Sequence, residues 1–283
     1  MKPYTCAQAL AAARHLGLDR LDAQLLLLHA LGRPASDRSW LLAHDTDELA
    51  QDAIEAFDAY SLRRAAGEPL AYIVGNKEFF GLSLQVDARV LVPRPDTETL
   101  VEWSLEVLKM PELPPVPRVM DLGTGSGAIA LAIAHSLMAA GREAKVTAVD
   151  ASAEALSVAR ENCRRLGLRV EFMESHWLAQ VSGRFNLIAS NPPYIASADT
   201  HLAALGHEPL QALAAGADGL DDIRQIIEQA PACLQNGGWL LLEHGYDQAE
   251  RVRGLLARQG FAQVQSRLDL AGIERCSGGQ WTP

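Results

Sequence analysis

The residues with the clearest chemistry are Asn191-Pro192-Pro193-Tyr194, which follow an apolar run from Phe185 to Ala189 that reads as a buried strand ending there. Prolines carry no backbone N–H, so the segment offers mainly acceptors: main-chain carbonyls, that of Pro192 among them, and the side-chain oxygen of Asn191. An exocyclic NH2 needs two such acceptors. The Tyr194 ring adds a flat surface that can stack on the flat group bearing the nitrogen. A lone Pro-Pro would mean only a turn that closes a strand. A second motif upstream decides between turn and site.

That motif is Val119-Met120-Asp121-Leu122-Gly123-Thr124-Gly125-Ser126-Gly127-Ala128-Ile129-Ala130, a short apolar strand running into a Gly-rich turn and an Ala-rich helix. Its glycines let the backbone turn tightly beside a ligand, and the helix N-terminus presents unpaired N–H groups to polar or negative ligand atoms. The next strand, Ala144 to Val149, ends in Asp150, whose carboxylate can accept both hydroxyls of a ribose. The dinucleotide fingerprint has G-x-G-x-x-G with an acidic residue about 20 positions on. Here the spacing is G-x-G-x-G and Asp150 lies 27 residues beyond Gly123, which counts against a dehydrogenase. The compact loop preceded by Asp121 resembles the S-adenosylmethionine loop of class I methyltransferases, whose ligand has a carboxylate and an ammonium but no pyrophosphate. That resemblance places Asp121 near the ammonium end.

Three segments would position these motifs. Residues 1–75 read as a helical substrate-recognition domain: Thr5 can cap a helix over Ala7 to Leu16, Asp19 or Asp22 can start one over Ala23 to Leu31, and Glu48 to Ala66 continues at helical spacing. Residues 76–110 read as a linker. It begins after the aromatic and β-branched run Tyr72-Ile73-Val74, carries Phe79-Phe80 in a hairpin, and ends in a helix capped by Asp96 or Thr97. Residues 111–283 alternate strand and helix, which predicts an α/β fold, a mostly parallel Rossmann-like sheet with an antiparallel C-terminal pair. Both motifs then fall at the C-terminal ends of strands, where open α/β sheets bind ligands.

Composition narrows the function classes. The chain has 283 residues, 48% apolar and 21% charged, which are globular values, and no run of about 18 apolar residues without polar breaks. With no basic, apolar leader, the expected location is the cytoplasm. Cys6, Cys163, Cys233 and Cys276 have no C-x-x-C spacing and the eight histidines form no H-E-x-x-H, so no disulfide framework and no metal site is expected. The net charge of −10 divides evenly, −5 in residues 1–110 and −5 in 111–283. Neither part looks built for phosphate backbones, so neither nucleic acid nor membrane is an expected partner. Arg160 to Arg169 reads as a solvated helix face. A monomer is the expected state.

With these residues in view, the chain is similar to the peptide chain release factor glutamine methyltransferases. The likeness rests on Glu78-Phe79-Phe80-Gly81-Leu82, Leu91-Val92-Pro93-Arg94-Pro95-Asp96-Thr97-Glu98, the Gly-rich loop, Asn191-Pro192-Pro193-Tyr194-Ile195, Glu208-Pro209-Leu210, Glu243-His244-Gly245 and Asp269-Leu270-Ala271-Gly272. The resemblance implies methyl transfer from S-adenosylmethionine, with S-adenosylhomocysteine as product, to the side-chain nitrogen of the glutamine in the Gly-Gly-Gln motif of bacterial release factors. It implies a cofactor site of Asp121, Gly123, Thr124, Gly125, Ser126, Gly127, Asp150, Trp177 and Asn191, with Trp177 beside the adenine. It implies that Asn191, Pro192, Pro193 and Tyr194 hold the glutamine, with Asn191, Pro192 and Tyr194 catalytic. Glutamine methylation of a ribosomal protein and adenine N6 methylation of a nucleic acid are the alternatives. His176 and Asn186 depart from the family pattern, which commonly has acidic residues there, and Gly278-Gly279-Gln280 reads as a polar end after the last strand.

Overall fold

The computed structural model describes residues 4–283, which divide into two compact units, one ending at Asn76 and the other Lys77–Pro283. The first unit is helical: α1 (Cys6–His15), α2 (Arg20–Ala30), α3 (Arg38–Ala43), α4 (Gln51–Ala65) and α5 (Leu70–Val74). Thr5 and Gln8 form a reciprocal capping box that starts α1, and the Asp19 carboxylate accepts from the Asp22 N–H to start α2. Leu26, Leu27, Leu28 and Phe57 form the centre of its core. The run Tyr72-Ile73-Val74 departs from its strand-like reading. Pro69 precedes it and Gly75 closes it in the left-handed region at φ 73°, so the segment coils into a short helix that buries Ile73 in the helical core.

Residues 76–110, expected as a linker of their own, fall within the second unit from Lys77 on. The hairpin of β1 (Asn76–Phe79) and β2 (Leu82–Gln85) delivers Phe79, Leu82 and Leu84 to the core shared by Leu100, Trp103, Ile129 and Leu241. Helix α6 (Glu98–Val107) follows a short 3-10 turn, Pro95–Thr97, and neither Asp96 nor Thr97 caps it. Asp96 instead pairs with Arg275 at 3.3 Å, and the Thr97 hydroxyl accepts from Asn191.

The sheet then assembles from β3 (Arg118–Leu122), β4 (Lys145–Asp150), β5 (Glu171–Glu174), β6 (Phe185–Ser190), β7 (Leu234–Glu243), β8 (Phe261–Leu268) and β9 (Glu274–Trp281). Between them run α7 (Ala128–Ala139), α8 (Ala153–Leu166), α9 (Asp221–Cys233) and α10 (Ala249–Gln259). The strand order is β5-β4-β3-β6-β7-β9-β8, parallel from β5 to β7, with β9 antiparallel to both neighbours. The chain order reverses between β3 and β6, and that switch leaves a crevice beyond the strand ends. Asn186, at its departure from the family pattern, accepts from the Arg118 N–H at 2.9 Å and ties the starts of β6 and β3 together.

Gly278-Gly279-Gln280 is not a polar end. The three residues lie inside β9, with Gly278 opposite Leu241 and Gly279 opposite Leu240. A Cβ at Gly278 would lie 2.6 Å from the Leu240 carbonyl oxygen and 3.0 Å from the Trp103 ring, so the backbone passes where no side chain fits. Gln280 pairs with Trp239, which is level with Leu187 of β6, and donates from Nε2 to the Gly237 carbonyl at 3.0 Å. Its amide is therefore engaged near the starts of β3 and β6, at the opposite end of the sheet from their C-terminal ends. Among the described residues no helix is long and apolar enough to cross a membrane, the four cysteines are free and buried, and no His/Cys/Asp/Glu group could hold a metal ion.

Candidate active site

A cavity of about 460 Å³ opens over the strand ends on both sides of the β3/β6 switch. That volume suits a small organic ligand. Of the residues singled out from sequence, Gly123, Gly125, Asp150, Trp177, Asn191 and Pro193 line it; Asp121, Thr124, Ser126, Gly127, Pro192 and Tyr194 stand behind or beside that lining.

On the β3 side the loop is held by its own backbone and by two carboxylates. The Thr124 N–H reaches the Val149 carbonyl at 2.9 Å and the Gly127 N–H the Thr124 carbonyl at 2.8 Å. Gly123, Gly125 and Gly127 all have positive φ, and a Cβ on Gly127 would meet Leu131 at 2.8 Å and Ala159 at 3.3 Å. Asp121 is fully buried: its Oδ2 accepts from the Thr124 hydroxyl at 2.6 Å and from the Ala130 N–H at 3.1 Å. Its Oδ1 has no partner among the described residues. Burial pushes its pKa up to about 7 against the opposing pull of these two donors. Asp150 accepts from the Gly125 N–H through Oδ2 and from the Ser152 N–H through Oδ1, both at 2.9 Å, while burial raises its pKa. Each carboxylate oxygen keeps a second lone pair for a ligand hydroxyl.

Trp177 stands in the left-handed region at φ 48° with its indole N–H on Asp222 Oδ1 at 3.0 Å. Its ring edge is the atom set nearest to a Cβ built on Gly123, at 3.2 Å, so the glycine and the indole together shape one wall. His176, the other departure from the family pattern, lines the cavity and its Nδ1 lies 3.4 Å from Gln225 Nε2. Asp222 lines the cavity too.

On the β6 side the support is long-range. Asn191 donates from Nδ2 to Thr97 Oγ1 at 3.1 Å, a contact that spans 94 positions. Glu243 stands at the end of the neighbouring strand β7. Tyr194 makes a long hydrogen bond to Glu243 Oε1 at 3.5 Å, and burial, with the Glu243 charge nearby, raises the phenol pKa. Glu243 is 1% exposed, its Oε2 has no partner among the described residues, and burial drives its pKa up to about 7. The Tyr194 carbonyl accepts from Gln248 Nε2 at 3.0 Å and packs on Gly219, where a Cβ would sit 2.2 Å from that oxygen. Ile195 then pairs with Leu213 and Ala215 through main-chain bonds of 2.9 Å.

Arg94, Glu98 and Glu208 act here as braces. Arg94 forms an ion pair with Glu208, Glu208 Oε2 accepts from the Val92 N–H at 3.0 Å, and Glu98 accepts from the Phe80 N–H at 3.0 Å. Sequence reasoning gave Thr97 only a capping role and gave none to Glu243, Gly219, Asp222 or Gln248. For Glu243 a signal existed: it closes the apolar run Trp239 to Leu242 as Asp150 closes that of β4.

Residues 104–248 match the family described as methyltransferase small domain, and residues 5–75 match the PrmC N-terminal domain. A methyltransferase from Pyrococcus furiosus has the same fold at TM-score 0.52 and 21% identity, over 80% of this chain and 98% of that one. The hMettl16 catalytic domain, solved with a MAT2A 3'UTR hairpin, matches at TM-score 0.56 and 15% identity, over 82% of this chain and 84% of that one. Sheet order, Gly-rich loop and family match together define a methyltransferase of Rossmann-like fold. A release factor glutamine methyltransferase of Bordetella pertussis is 48% identical over 93% of this chain and 95% of its own length. That of Burkholderia pseudomallei is 46% identical over 98% and 96%. The chain belongs to the release factor glutamine methyltransferase family.

Proposed function

We propose that this protein methylates the side-chain amide nitrogen of the glutamine in the Gly-Gly-Gln motif of bacterial release factors, using S-adenosylmethionine bound in the cavity over β3 and β4. The observation that carries the reading is Asn191. It stands at the end of β6 in the same cavity wall as Gly123, Gly125 and Asp150, with its amide NH2 turned to Thr97. Its Oδ1 is thereby left as an acceptor for a substrate NH2.

The donor set fits the cofactor. Asp150 suits a ribose, the loop of Gly123 to Gly127 with Thr124 and Ser126 suits the amino-acid end, and the orphaned Asp121 Oδ1 beneath that loop favours a cation above it. Trp177 forms the wall for the adenine. When bound, the cofactor supplies a methyl group on a sulfonium that leaves as neutral S-adenosylhomocysteine.

An amide nitrogen is a weak nucleophile because its lone pair is delocalised into the carbonyl. Asn191 Oδ1 and the Pro192 carbonyl, each accepting one N–H, orient that nitrogen, and they gain strength as positive charge develops on it. That is stabilisation of the transition state beyond that of the bound substrate. Tyr194 backs the amide plane. Holding nitrogen and methyl at about 3 to 3.5 Å supplies much of the remaining acceleration. The methylated nitrogen is strongly acidic, so no dedicated base is required. We assign recognition of the protein substrate to the helical unit, none of whose described residues lines the cavity.

The test is transfer of labelled methyl from S-adenosylmethionine to a purified release factor, beside a Gln-to-Ala version of its Gly-Gly-Gln loop, a ribosomal protein pool and DNA. Label that disappears with the Gln change is expected. Label on DNA or ribosomal protein with a silent release factor would overturn the substrate assignment and leave the chemistry standing.

A further inference from the structure

We infer that Gln248 is a positioning residue that clamps the acceptor segment Pro192-Pro193-Tyr194 to the chain leaving β7, so that the Pro192 carbonyl is held where the substrate amide arrives. The inference rests on the reading above, in which that carbonyl and Asn191 Oδ1 accept from the glutamine NH2.

The segment cannot hold itself. Pro192 and Pro193 have no N–H to donate. Among the described residues, the main-chain hydrogen bond of this segment is the one that the Tyr194 carbonyl accepts from Gln248 Nε2 at 3.0 Å. Pro193 also locks its own φ at about −65°, which stiffens the chain between the two carbonyls. Whatever fixes the Tyr194 carbonyl therefore constrains the Pro192 carbonyl.

Gln248 ties three main-chain segments together. Its Nε2 donates to the Tyr194 carbonyl beyond β6 and lies 3.4 Å from the Asp218 carbonyl ahead of α9, while its Oε1 accepts from the Gly245 N–H beyond β7 at 2.8 Å. A main-chain carbonyl can only accept and an N–H can only donate, so one orientation of the amide satisfies all three and no protonation state enters the choice. Gly245 is itself fixed. Its carbonyl accepts from the Gln248 N–H at 3.0 Å and from His244 Nδ1 at 2.9 Å, which leaves His244 Nε2 to accept from the Ser277 hydroxyl at 2.7 Å.

Two features separate Gln248 from a residue that only packs. It is 6% exposed and occupies the N-cap position of α10, yet its side chain makes no bond to that helix, so its hydrogen-bonding capacity is directed to the other segments. Gly219 lies bare against the clamp: a Cβ there would fall 2.8 Å from Gln248 Nε2 and 2.2 Å from the Tyr194 carbonyl oxygen.

The experiment compares Gln248→Met, Gln248→Glu and a control, Leu256→Ala, with the unmodified enzyme. It measures methyl transfer to release factor, calorimetric affinity for S-adenosylhomocysteine, and thermal unfolding. Gln248→Met keeps the length of the side chain and loses its bonds, so kcat should fall roughly tenfold or more, with KM for release factor and cofactor affinity within about threefold. Gln248→Glu keeps an acceptor for Gly245 but turns an oxygen to the Tyr194 and Asp218 carbonyls, and it regains a donor only on protonation. The Asp218 carboxylate nearby is already ion-paired with Arg224 and Arg251. The kcat of Gln248→Glu relative to Gln248→Met should therefore rise as pH falls from about 8 to about 6, since burial favours the protonated carboxyl. Leu256 is fully buried on α10, so Leu256→Ala should lower the unfolding temperature with the clamp in place and keep kcat within about twofold. Full kcat in Gln248→Met, a ratio that does not rise in acid, an equal loss in Leu256→Ala, or cofactor affinity that falls in step with kcat would each overturn the clamp. An unmodified enzyme that labels no release factor would overturn the functional reading and this inference with it, whereas failure of the clamp alone leaves the unmodified enzyme active.

Discussion

The two sides of the cavity floor are built in opposite ways. At the ends of β3 and β4 the site is built from backbone: three glycines at positive φ and a helix N-terminus, whose N–H donors at Gly125 and Ala130 are held by the carboxylates of Asp150 and Asp121 from the ends of those same two strands. At the ends of β6 and β7 it presents acceptors, and these are aimed by side chains from distant parts of the chain, Thr97 and Gln248 among them. The difference follows from chemistry. Donor nests form wherever glycines let successive N–H groups converge, whereas an asparagine amide must be turned the right way by something else.

The largest expected effect breaks the acceptor side directly. Asn191→Ala removes one of two acceptors for the developing charge and should lower kcat by about 10²- to 10³-fold, the scale seen when one preorganised hydrogen-bonding group is deleted. Affinity for S-adenosylhomocysteine should change far less. A calorimetric titration beside a steady-state assay separates the two, and a proportional loss of cofactor affinity would merge the two sides into one site. Gly219→Ala comes next. The new Cβ would fall 2.2 Å from the Tyr194 carbonyl oxygen on a backbone at φ 72°, so both crowding and left-handed strain act. A loss of about 3 kcal/mol in denaturant unfolding is expected, together with reduced transfer because the Pro193-Tyr194 segment must move.

The same contrast explains what could be read from sequence. The β3 loop was legible because its parts are contiguous: strand, glycines and helix follow one another within a dozen residues, and Asp150 ends the next strand. Asn191 was legible from its own neighbours. The Thr97 contact was not, since nothing local ties position 97 to 191; the pairing exists only after α6 packs beside the sheet. Thr97 was instead assigned to capping, where a hydroxyl at a helix start normally goes, and tertiary contacts took its hydrogen-bonding capacity. Gly278-Gly279-Gln280 misled for a related reason. Its composition suits a loose end, but the glycines let β9 pass beneath Leu240 and Trp103 in the sheet interior. Tyr72 to Val74 has β-branched character, yet Pro69 and Gly75 set its ends and the helical core claimed Ile73.

Each side also carries a buried carboxyl whose pKa burial raises to about 7, Asp121 under the loop and Glu243 beside Tyr194. Glu243 has an unfolded reference near 4.5. The folded state therefore holds its proton longer, so the stability linked to this group is fully present below pH 4.5 and is lost as pH rises towards 7. Ligand-free protein should lose on the order of 2 kcal/mol from this group between pH 5 and 8. Urea unfolding of Glu243→Gln should lack that part of the slope, and Asp121→Asn should flatten the slope by a similar amount. An unchanged slope in one variant alone would mean that only the other side carries a buried titrating group.

The smallest effect sharpens what glycine does on the donor side. At Gly125 the backbone has φ 54°, but a Cβ would meet no atom within 4 Å. Here the requirement is conformational alone, in contrast to Gly219, where space is the limit. Gly125→Ala should then cost about 1 kcal/mol of stability from left-handed strain. The cofactor pocket remains open in the variant, so S-adenosylhomocysteine affinity should fall by less than about tenfold if the Gly125 N–H keeps its bond to Asp150. A much larger loss would mean that the added methyl enters space the ligand needs, and the donor side would then be limited by room in the same way as the segment around Tyr194.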